Sequence, residues 1–208
     1  MRGRFITVEG GEGVGKSTNI DVLREWLESQ GIACVFTREP GGTALAEQIR
    51  NLLLNTREET VQPITELMMM FAARAQHIAH VIEPALSKGR WVVCDRFTDA
   101  SFAYQGGGRG LSEDWIEQLQ TLVQGALRPD LTLLLDAPVG VGMARASKRG
   151  SLDRFEREQQ AFFERVRQSY LQRAAAEPQR FRIVDTDRSP ETIASDIQTV
   201  MADFLEAL

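Results

Sequence analysis

The sequence is poor in cysteine and has no long apolar run. Its 208 residues include two cysteines, Cys34 and Cys94, each alone in a separate apolar segment. This placement favours buried thiols over a disulfide or a metal site. No apolar stretch approaches the roughly 18 residues that a membrane-spanning helix needs, which argues against such a helix. The N-terminus has no signal-peptide pattern, so we expect a cytoplasmic protein.

The chain also lacks an excess of positive charge. Its 24 Lys+Arg and 29 Asp+Glu residues give a net charge of −5, which argues against a protein that mainly coats nucleic acid. The apolar fraction of 43% and the charged fraction of 25% are typical of a globular chain, which excludes a disordered or collagen-like protein. Only three of the basic residues are lysines, so the position of each lysine is informative.

Short β-type runs alternate with longer helical patterns, without repeats or a linker long enough to divide domains. Strands are predicted at residues 4–8, 32–37, 91–94, 131–135 and 181–184. Helices are predicted at residues 17–29, 43–54, 63–88 with a break near Pro84, 112–127, 139–148, 154–176 and after Ser189. The alternation predicts a single α/β domain over residues 1–208, with a five-stranded parallel sheet and helices on both faces. In such sheets ligands bind at the carboxyl ends of the strands.

The most specific motif lies between the first predicted strand and the first predicted helix. Residues 10–17 read GGEGVGKS and match G-x-x-x-x-G-K-[ST], the P-loop. Its backbone N–H groups and the helix N-terminus can hold phosphate oxygens. Lys16 is expected to reach the β- and γ-phosphates of ATP, and Ser17 to hold Mg²⁺. The predicted ATP-binding residues of this segment are Gly10, Gly11, Glu12, Gly13, Val14, Gly15, Lys16, Ser17 and Thr18.

Other P-loop classes fit poorly. The N-K-x-D and D-x-x-G strings of regulatory GTPases are absent from the sequence. The third predicted strand ends in Cys94-Asp95-Arg96 instead. An Asp at that position can orient Mg²⁺ through water, and an Arg directly after it can hold a phosphate.

Three further segments narrow the family. Residues 37–43 read TREPGGT, residues 95–97 read DRF with AYQG at 103–106, and residues 145–156 read RASKRGSLDRFE. In order and spacing these segments resemble the bacterial thymidylate kinases, and the resemblance runs from Phe5 to the last helix. It implies a P-loop nucleoside monophosphate kinase fold with a short lid at about residues 142–154. It also implies a homodimer that transfers the γ-phosphoryl group of ATP to dTMP with Mg²⁺, giving dTDP and ADP.

The resemblance assigns four residues to the phosphate and sugar of dTMP. Arg38 and Arg96 are expected to contact the phosphate, and two guanidinium groups there would help bring like-charged phosphates together. Glu12 is expected to approach the sugar 3′-hydroxyl. Tyr104 is expected to lie under the deoxyribose and leave no room for a 2′-hydroxyl.

The resemblance assigns four more residues to the base. Phe71 is expected to stack on the thymine ring, and Arg74 to donate to its O4 edge from the same helix face. Ser101 and Gln105 are expected to make polar contacts with the base edge. An Arg donor favours the carbonyl of thymine over the amino group of cytosine at that position.

The lid carries the remaining catalytic expectation. Arg145, Lys148, Arg149 and Arg154 are expected to converge, with Gly150 as the hinge. Arg149 is predicted to be the catalytic lid residue, and Arg145 and Arg149 are predicted to bind ATP. An Arg that arrives on a closing lid supplies charge only when both substrates are bound.

Three other segments receive simpler interpretations. Residues 68–70 are three methionines, interpreted as core or interface packing. His77 and His80 have no partner pattern and are interpreted as helix-surface or interface residues. Residues 185–190 are expected to line an adenine pocket through backbone atoms.

Two alternative functions stay open at this stage. A kinase for another monophosphate or for a deoxynucleoside could share the fold and would differ at the base pocket. A nucleotide-binding regulator without catalysis would be expected to lack the lid arginines or the Asp95-Arg96 pair, and both are present. The expected partners are small nucleotides, with no nucleic acid and no membrane.

Overall fold

A computed structural model describes residues 2–56, 58–147, 153–156 and 158–208. Its centre is a five-stranded sheet in the order β2-β3-β1-β4-β5, and every neighbouring pair is parallel. The strands are β1 (Phe5–Glu9), β2 (Cys34–Arg38), β3 (Trp91–Asp95), β4 (Leu131–Asp136) and β5 (Phe181–Asp185). The predicted fold class is confirmed, and each strand lies within two residues of its predicted bounds.

Helices connect the strands and cover both sheet faces. They are α1 (Lys16–Ser29), α2 (Ala44–Leu54), α3 (Pro63–His77), α4 (Glu83–Ser87), α5 (Thr98–Ser101), α6 (Glu113–Gln124), α7 (Val139–Ala146), α8 (Gln160–Ala176) and α9 (Pro190–Glu206). A π-helical turn, Ile78–Ile82, joins α3 to α4, and a second one, Phe102–Gly108, extends α5.

The helical segment Thr98–Gly108 was not predicted, and one predicted helix begins later than expected. The predicted break near Pro84 takes the form of a change in helix type, because the π-helical turn Ile78–Ile82 lies directly before the α4 segment that contains Pro84. The helix predicted from residue 154 begins at Gln160. The Asp153 carboxylate accepts the N–H groups of Phe155 (2.8 Å) and Glu156 (2.9 Å), which is a turn that competes with helix formation.

The core lies on both faces of the sheet. On one face, α1 and α9 bury Leu23, Leu27, Ile197 and Met201 completely against β1 and its neighbours. On the other face, α8 contributes side chains such as Tyr170, and helix α4 packs under β3. Each fully buried side chain of this size contributes about 1.5–3 kcal/mol. The strand ends that carry the motifs therefore project from a firmly packed sheet.

The strand register brings the motifs to one edge of the sheet. Val8 of β1 pairs with Asp95 of β3, and Asp95 also lies opposite Arg38 of β2. The P-loop after β1, the Asp95-Arg96 pair and the segment after Arg38 therefore leave the sheet side by side. This is the carboxyl edge at which the sequence predicts ligand binding.

The predicted lid is covered only in part. Lys148, Arg149 and Gly150 lie outside the described residues, so their roles stay predictions. The described residues on either side are the end of α7 and residues 153–156.

None of the helices that the structure describes combines the length and the apolar content that crossing a bilayer requires.

Candidate functional site

A cleft opens at the carboxyl edge between the P-loop, α2, α3 and the helical segment that follows β3. The P-loop forms one end, and residues of α3, α5 and the following π-helical turn form the other. Its described lining includes the predicted residues Glu12, Gly13, Gly15, Lys16, Ser17, Arg74, Asp95, Arg96, Ser101, Tyr104 and Gln105. The fold therefore brings most of the predicted site together.

The P-loop holds its lysine against its own backbone. The Lys16 ammonium donates to the carbonyl oxygens of Gly10 (3.2 Å) and Gly11 (2.8 Å). Burial, followed by the nearby Arg96 guanidinium, lowers the pKa of Lys16. An anionic phosphate at this position would raise the pKa of Lys16 and so favour the charged ammonium.

Two glycines allow a helix to pack on the loop. A Cβ atom at Gly13 would collide with the Gly142 backbone of α7, and one at Gly142 would collide with the Glu12 carbonyl. Gly13 also has a φ of 71°, which L side chains rarely adopt. The P-loop is thus supported by tertiary contacts that the motif itself does not contain.

Arg96 is fixed over the cleft in an unusual backbone conformation. Its φ is 68°, in the left-handed region that costs a non-glycine residue about 1–2 kcal/mol. The guanidinium donates to the Gly10 carbonyl (2.8 Å) and to the Glu12 carboxylate (2.5 Å), which also accepts the Tyr104 hydroxyl (2.7 Å). Burial lowers the pKa of Arg96, but Tyr104 and Glu12 outweigh it and raise that pKa well above its usual range.

A buried carboxylate that the sequence analysis missed supports this conformation. Glu9 is completely buried, and it accepts the N–H of Phe97 (2.7 Å) and the hydroxyl of Tyr170 (2.7 Å). Burial, followed by the charge of Asp99, raises the pKa of Glu9 to about 7. The available signal was an acidic residue ending an apolar strand. Glu9 holds the peptide group directly after Arg96.

Ser17 and Asp95 are suited to the predicted Mg²⁺ site. Both line the cleft, and the buried Asp95 Oδ1 has no hydrogen-bond partner among the described residues. The described residues contain no group of three or more His, Cys, Asp or Glu that could hold a metal by themselves. A hydroxyl and one carboxylate suit Mg²⁺, which keeps several waters and takes further oxygens from nucleotide phosphates.

Arg74 is a buried, hydrogen-bonded cation at the far end of the cleft. Its Nε donates to Glu39 (2.7 Å), and its Nη2 donates to the Phe97 carbonyl (3.0 Å) and the Ser101 hydroxyl (3.1 Å). The guanidinium also lies over the Phe71 ring, 4.5 Å from its centroid. The buried Nη1 has no partner among the described residues. One donor group is therefore left for a ligand.

Neighbouring residues of α3 divide differently from the expectation. Phe71 is only 2% exposed and packs in the core with Leu67 and Phe102, and the described lining of the cleft does not include it. Met70 does line the cleft. Residues 68–70 were predicted to serve packing alone, but Met70 also contacts the cleft. The predicted stacking of Phe71 on a base stays a prediction.

Gln105 is oriented by a buried carboxylate. Glu66 is completely buried and accepts the Gln105 Nε2 group at 2.8 Å. Because a carboxylate only accepts, the amide nitrogen must face Glu66. Glu66 also accepts Arg154 Nη2 (2.6 Å), while Arg154 Nε donates to the Leu53 carbonyl (2.8 Å). Arg154 is thus bound away from the phosphate end, which corrects its expected place among the converging lid cations.

Two predicted cations lie at the margins of the cleft. Arg38 is half-exposed and pairs with Glu47 (3.0 Å), outside the described lining. Arg145 donates to the Thr186 carbonyl (2.9 Å), so it lies beside the segment predicted to line an adenine pocket. A cation missed by the sequence analysis, Arg50 of α2, does line the cleft and donates to the Pro40 carbonyl (2.9 Å).

His77 differs most from its prediction. It was expected on a surface or interface, yet it is completely buried. Its Nδ1 bonds to Glu39 (3.0 Å) and its Nε2 to the Thr37 hydroxyl (2.7 Å). His80, the other histidine, is exposed as expected. Periodicity of α3 could have indicated burial, because His77 is three residues beyond Arg74 on the same helical face.

Comparisons with known proteins agree with this geometry. The family model described as "Thymidylate kinase" matches residues 8–197. A thymidylate kinase from Ectopseudomonas mendocina (strain ymp) is 58% identical over 207 residues, covering 100% of this chain and 99% of the relative. One from Pseudomonas fluorescens (strain SBW25) is 59% identical, covering 99% and 98%. A crystal structure of thymidylate kinase from Ehrlichia chaffeensis superposes with a TM-score of 0.79 at 31% identity, covering 97% of this chain and 100% of that one.

Proposed function

Because this chain belongs to the thymidylate kinase family, we propose that it transfers the γ-phosphoryl group of ATP to dTMP in the cleft described above, giving dTDP and ADP. One observation carries the assignment of the two ends. The same cleft has the P-loop Lys16 at one end and the unpaired Nη1 of the buried Arg74 at the other. A phosphate-binding group and a base-reading group therefore share one cavity.

Two groups suit recognition of thymine. Arg74 Nη1 can donate to the O4 carbonyl, and the Gln105 carbonyl oxygen is left to accept the N3–H, because the amide nitrogen faces Glu66. Cytosine presents a donor at position 4 and an acceptor at N3, so both contacts would be mismatched. Sites that leave buried polar groups unpaired reject such analogues strongly.

Met70 and Tyr104 suit the remaining surfaces of the nucleoside. Met70 lines the cleft near Arg74. Its apolar side chain is therefore suited to contact the face of the base. Tyr104 is anchored through its hydroxyl to Glu12. A ring held in this way can limit the space near C2′ and so exclude a ribose.

The transfer step needs positioning and charge rather than covalent catalysis by the protein. A phosphate oxygen of dTMP forms a bond to the γ-phosphorus of ATP, and the bond from that phosphorus to the β–γ bridging oxygen breaks, which releases ADP. The attacking oxygen is already an anion, so no general base is required. Lys16 and Arg96 supply positive charge from the donor and acceptor sides, and Arg38 and Arg50 supply it from the acceptor margin.

Mg²⁺ completes the proposed site. Ser17 would hold it directly and Asp95 through water, and the ion would neutralise charge on the β- and γ-phosphates. Arg149 remains the proposed catalytic lid residue, and Arg145 is proposed to hold ATP beside Thr186. The Arg149 assignment rests on the family resemblance, and that of Arg145 rests in addition on its contact with Thr186.

We also propose that the enzyme is a homodimer. Large apolar side chains are exposed on three helices that pack beside one another: Leu45 and Leu52 on α2, Ile64 and Met68 on α3, and Trp115 and Leu122 on α6. An apolar face of this kind suits a second copy of the chain. Sedimentation equilibrium tests the dimer, and cell fractionation tests the expected cytoplasmic location.

The deciding experiment measures ADP release from ATP and Mg²⁺ with dTMP, dUMP, dCMP, dGMP, AMP and the ribose form of TMP. We expect strong turnover with dTMP, weaker turnover with dUMP, and little with the others. The ratio of kcat/KM between dTMP and dUMP should correspond to about 1–3 kcal/mol, because one methyl group in an apolar pocket is worth that much. A different preferred acceptor would discard the base-pocket roles. Binding of ATP without any turnover would favour a regulator instead.

A further inference from the structure

We propose that His77 is a positioning residue that sets the affinity for dTMP, by holding Glu39 so that Arg74 presents its free Nη1 group to the base. This inference rests on the proposed function, because it concerns the base end of the dTMP site. His77 does not line the cleft in the described structure, so it acts only through its neighbours.

The first part of the argument is a continuous chain of hydrogen bonds. The Thr37 hydroxyl bonds to His77 Nε2 (2.7 Å), His77 Nδ1 bonds to Glu39 Oε1 (3.0 Å), and Glu39 Oε2 accepts Arg74 Nε (2.7 Å). A carboxylate oxygen only accepts, so Nδ1 must carry a proton. Both oxygens of Glu39 are therefore engaged, one by His77 and one by Arg74.

The second part is burial. His77 is completely buried, Arg74 is 2% exposed and Glu39 is 4% exposed. Water cannot replace a lost bond cheaply at such a site, and a buried carboxylate that loses a donor is costly. The direction of Glu39, and with it the orientation of the Arg74 fork, should therefore depend on the imidazole.

The third part is that His77 also contacts the glycine loop that follows β2. Gly42, with a φ of 84°, packs so closely that a Cβ there would lie 2.5 Å from two atoms of the His77 ring. The Gly41-Gly42 loop and β2, which ends in Arg38, are thus packed on the same ring that holds Glu39. His77 ties the strand that leads to the acceptor phosphate end to the cation at the base end.

The kinetic test compares three substitutions with a matched control. His77→Leu removes both bonds at similar volume, and His77→Asn keeps a donor near the Nδ1 position. Thr37→Val removes only the outer bond. His80→Leu, at the exposed histidine three residues on, is the control. We expect His77→Leu to raise KM for dTMP about tenfold, with kcat and KM for ATP within about twofold.

We expect His77→Asn to restore most of that loss, Thr37→Val to raise KM for dTMP roughly twofold to threefold, and His80→Leu to change nothing. A purely structural role would move Tm and both KM values together, without rescue by Asn, and that result would overturn the proposal. An unchanged KM for dTMP in a folded His77→Leu variant would overturn it as well.

A spectroscopic arm does not depend on how the Leu variant folds. The chain has two histidines, so ¹⁵N spectra of His80→Asn report the ring of His77 alone. We expect a protonated, slowly exchanging Nδ1. Its signal should shift when Glu39→Gln is added to the His80→Asn protein. An unprotonated Nδ1 would contradict the proposed hydrogen bond from His77 to Glu39. If the unsubstituted enzyme does not phosphorylate dTMP, the proposed function fails, and the role of His77 in dTMP affinity fails with it. Normal dTMP turnover together with an unchanged KM for dTMP in His77→Leu contradicts only the positioning role of His77.

Discussion

The two ends of the cleft are built in different ways. At the proposed ATP end, one contiguous segment, the P-loop, supplies most of the proposed binding groups, and many of these are backbone N–H groups. At the base end, Glu39, Arg74, Ser101 and Gln105 come from three separate stretches of the chain, and buried side-chain bonds set their directions. Backbone donors tolerate many sequences, whereas side-chain networks require particular partners.

This difference has a consequence for specificity. Phosphate groups are common to every nucleotide, so a loop of backbone donors suits all of them equally. A base differs from another by the direction of a few donors and acceptors, so its recognition requires side chains held in one orientation. Buried polar side chains such as Glu39, Glu66 and Arg74 are accordingly found at the base end.

The largest expected effect breaks the ATP end alone. Lys16→Ala should lower kcat about 10²–10³-fold, because the phosphoryl group loses a positive charge during transfer. Circular dichroism should show an intact fold, and Lys88→Ala, at an exposed lysine, should keep the original kcat. Near-normal turnover of Lys16→Ala would mean that the P-loop assignment is wrong.

The next effect breaks the base end alone. Arg74→Gln should raise KM for dTMP about 100-fold and leave KM for ATP within about twofold, because a buried charge pair with Glu39 is opened. Steady-state kinetics with each substrate varied in turn measure the split. Arg74→Lys, which keeps the charge without the fork, should fall between. Equal changes in both KM values would argue that the two ends are not separable.

A third test addresses Glu9, the buried carboxylate that holds the peptide group directly after Arg96. Its pKa of about 7 is above the ordinary 4.5, so the folded protein holds this proton more tightly than the unfolded chain. The stabilisation from protonated Glu9 is fully present below pH 4.5 and is lost as the pH rises through about 7. From pH 5 to 8 the free energy of unfolding should fall relative to Glu9→Gln, by on the order of 2 kcal/mol. Urea unfolding of both proteins measures it, and parallel pH profiles would contradict the assignment.

The smallest effect sharpens the description of the base end. Met70→Ala should raise KM for dTMP up to about tenfold, since it removes an apolar cleft surface. Phe71→Leu tests the stacking role that stays predicted for Phe71. A role in the core alone should lower stability by about 1 kcal/mol and leave KM for dTMP within about twofold. Paired KM values and urea midpoints give the answer, and a raised KM for dTMP would support the stacking role.

Sequence reasoning reached the P-loop, the Asp95-Arg96 pair and the five strands, because each depends on neighbours in the chain. It also placed Glu12, Arg96 and Tyr104 in one site, which the structure joins through two hydrogen bonds. It misjudged His77 and Arg154. Both have partners far away in sequence, Glu39 and Glu66, and no local pattern indicates such pairs.

The sequence by itself determined the alternating βα order, the phosphate-binding loop and the family, because periodicity and contiguous motifs are local properties of the chain. Only the tertiary structure decided which buried carboxylates orient Arg74 and Gln105, and that Glu9 holds the peptide group after Arg96. Those choices depend on which side chains the packed sheet and helices exclude from water together. A buried charge must find its partner in space, wherever that partner lies along the chain.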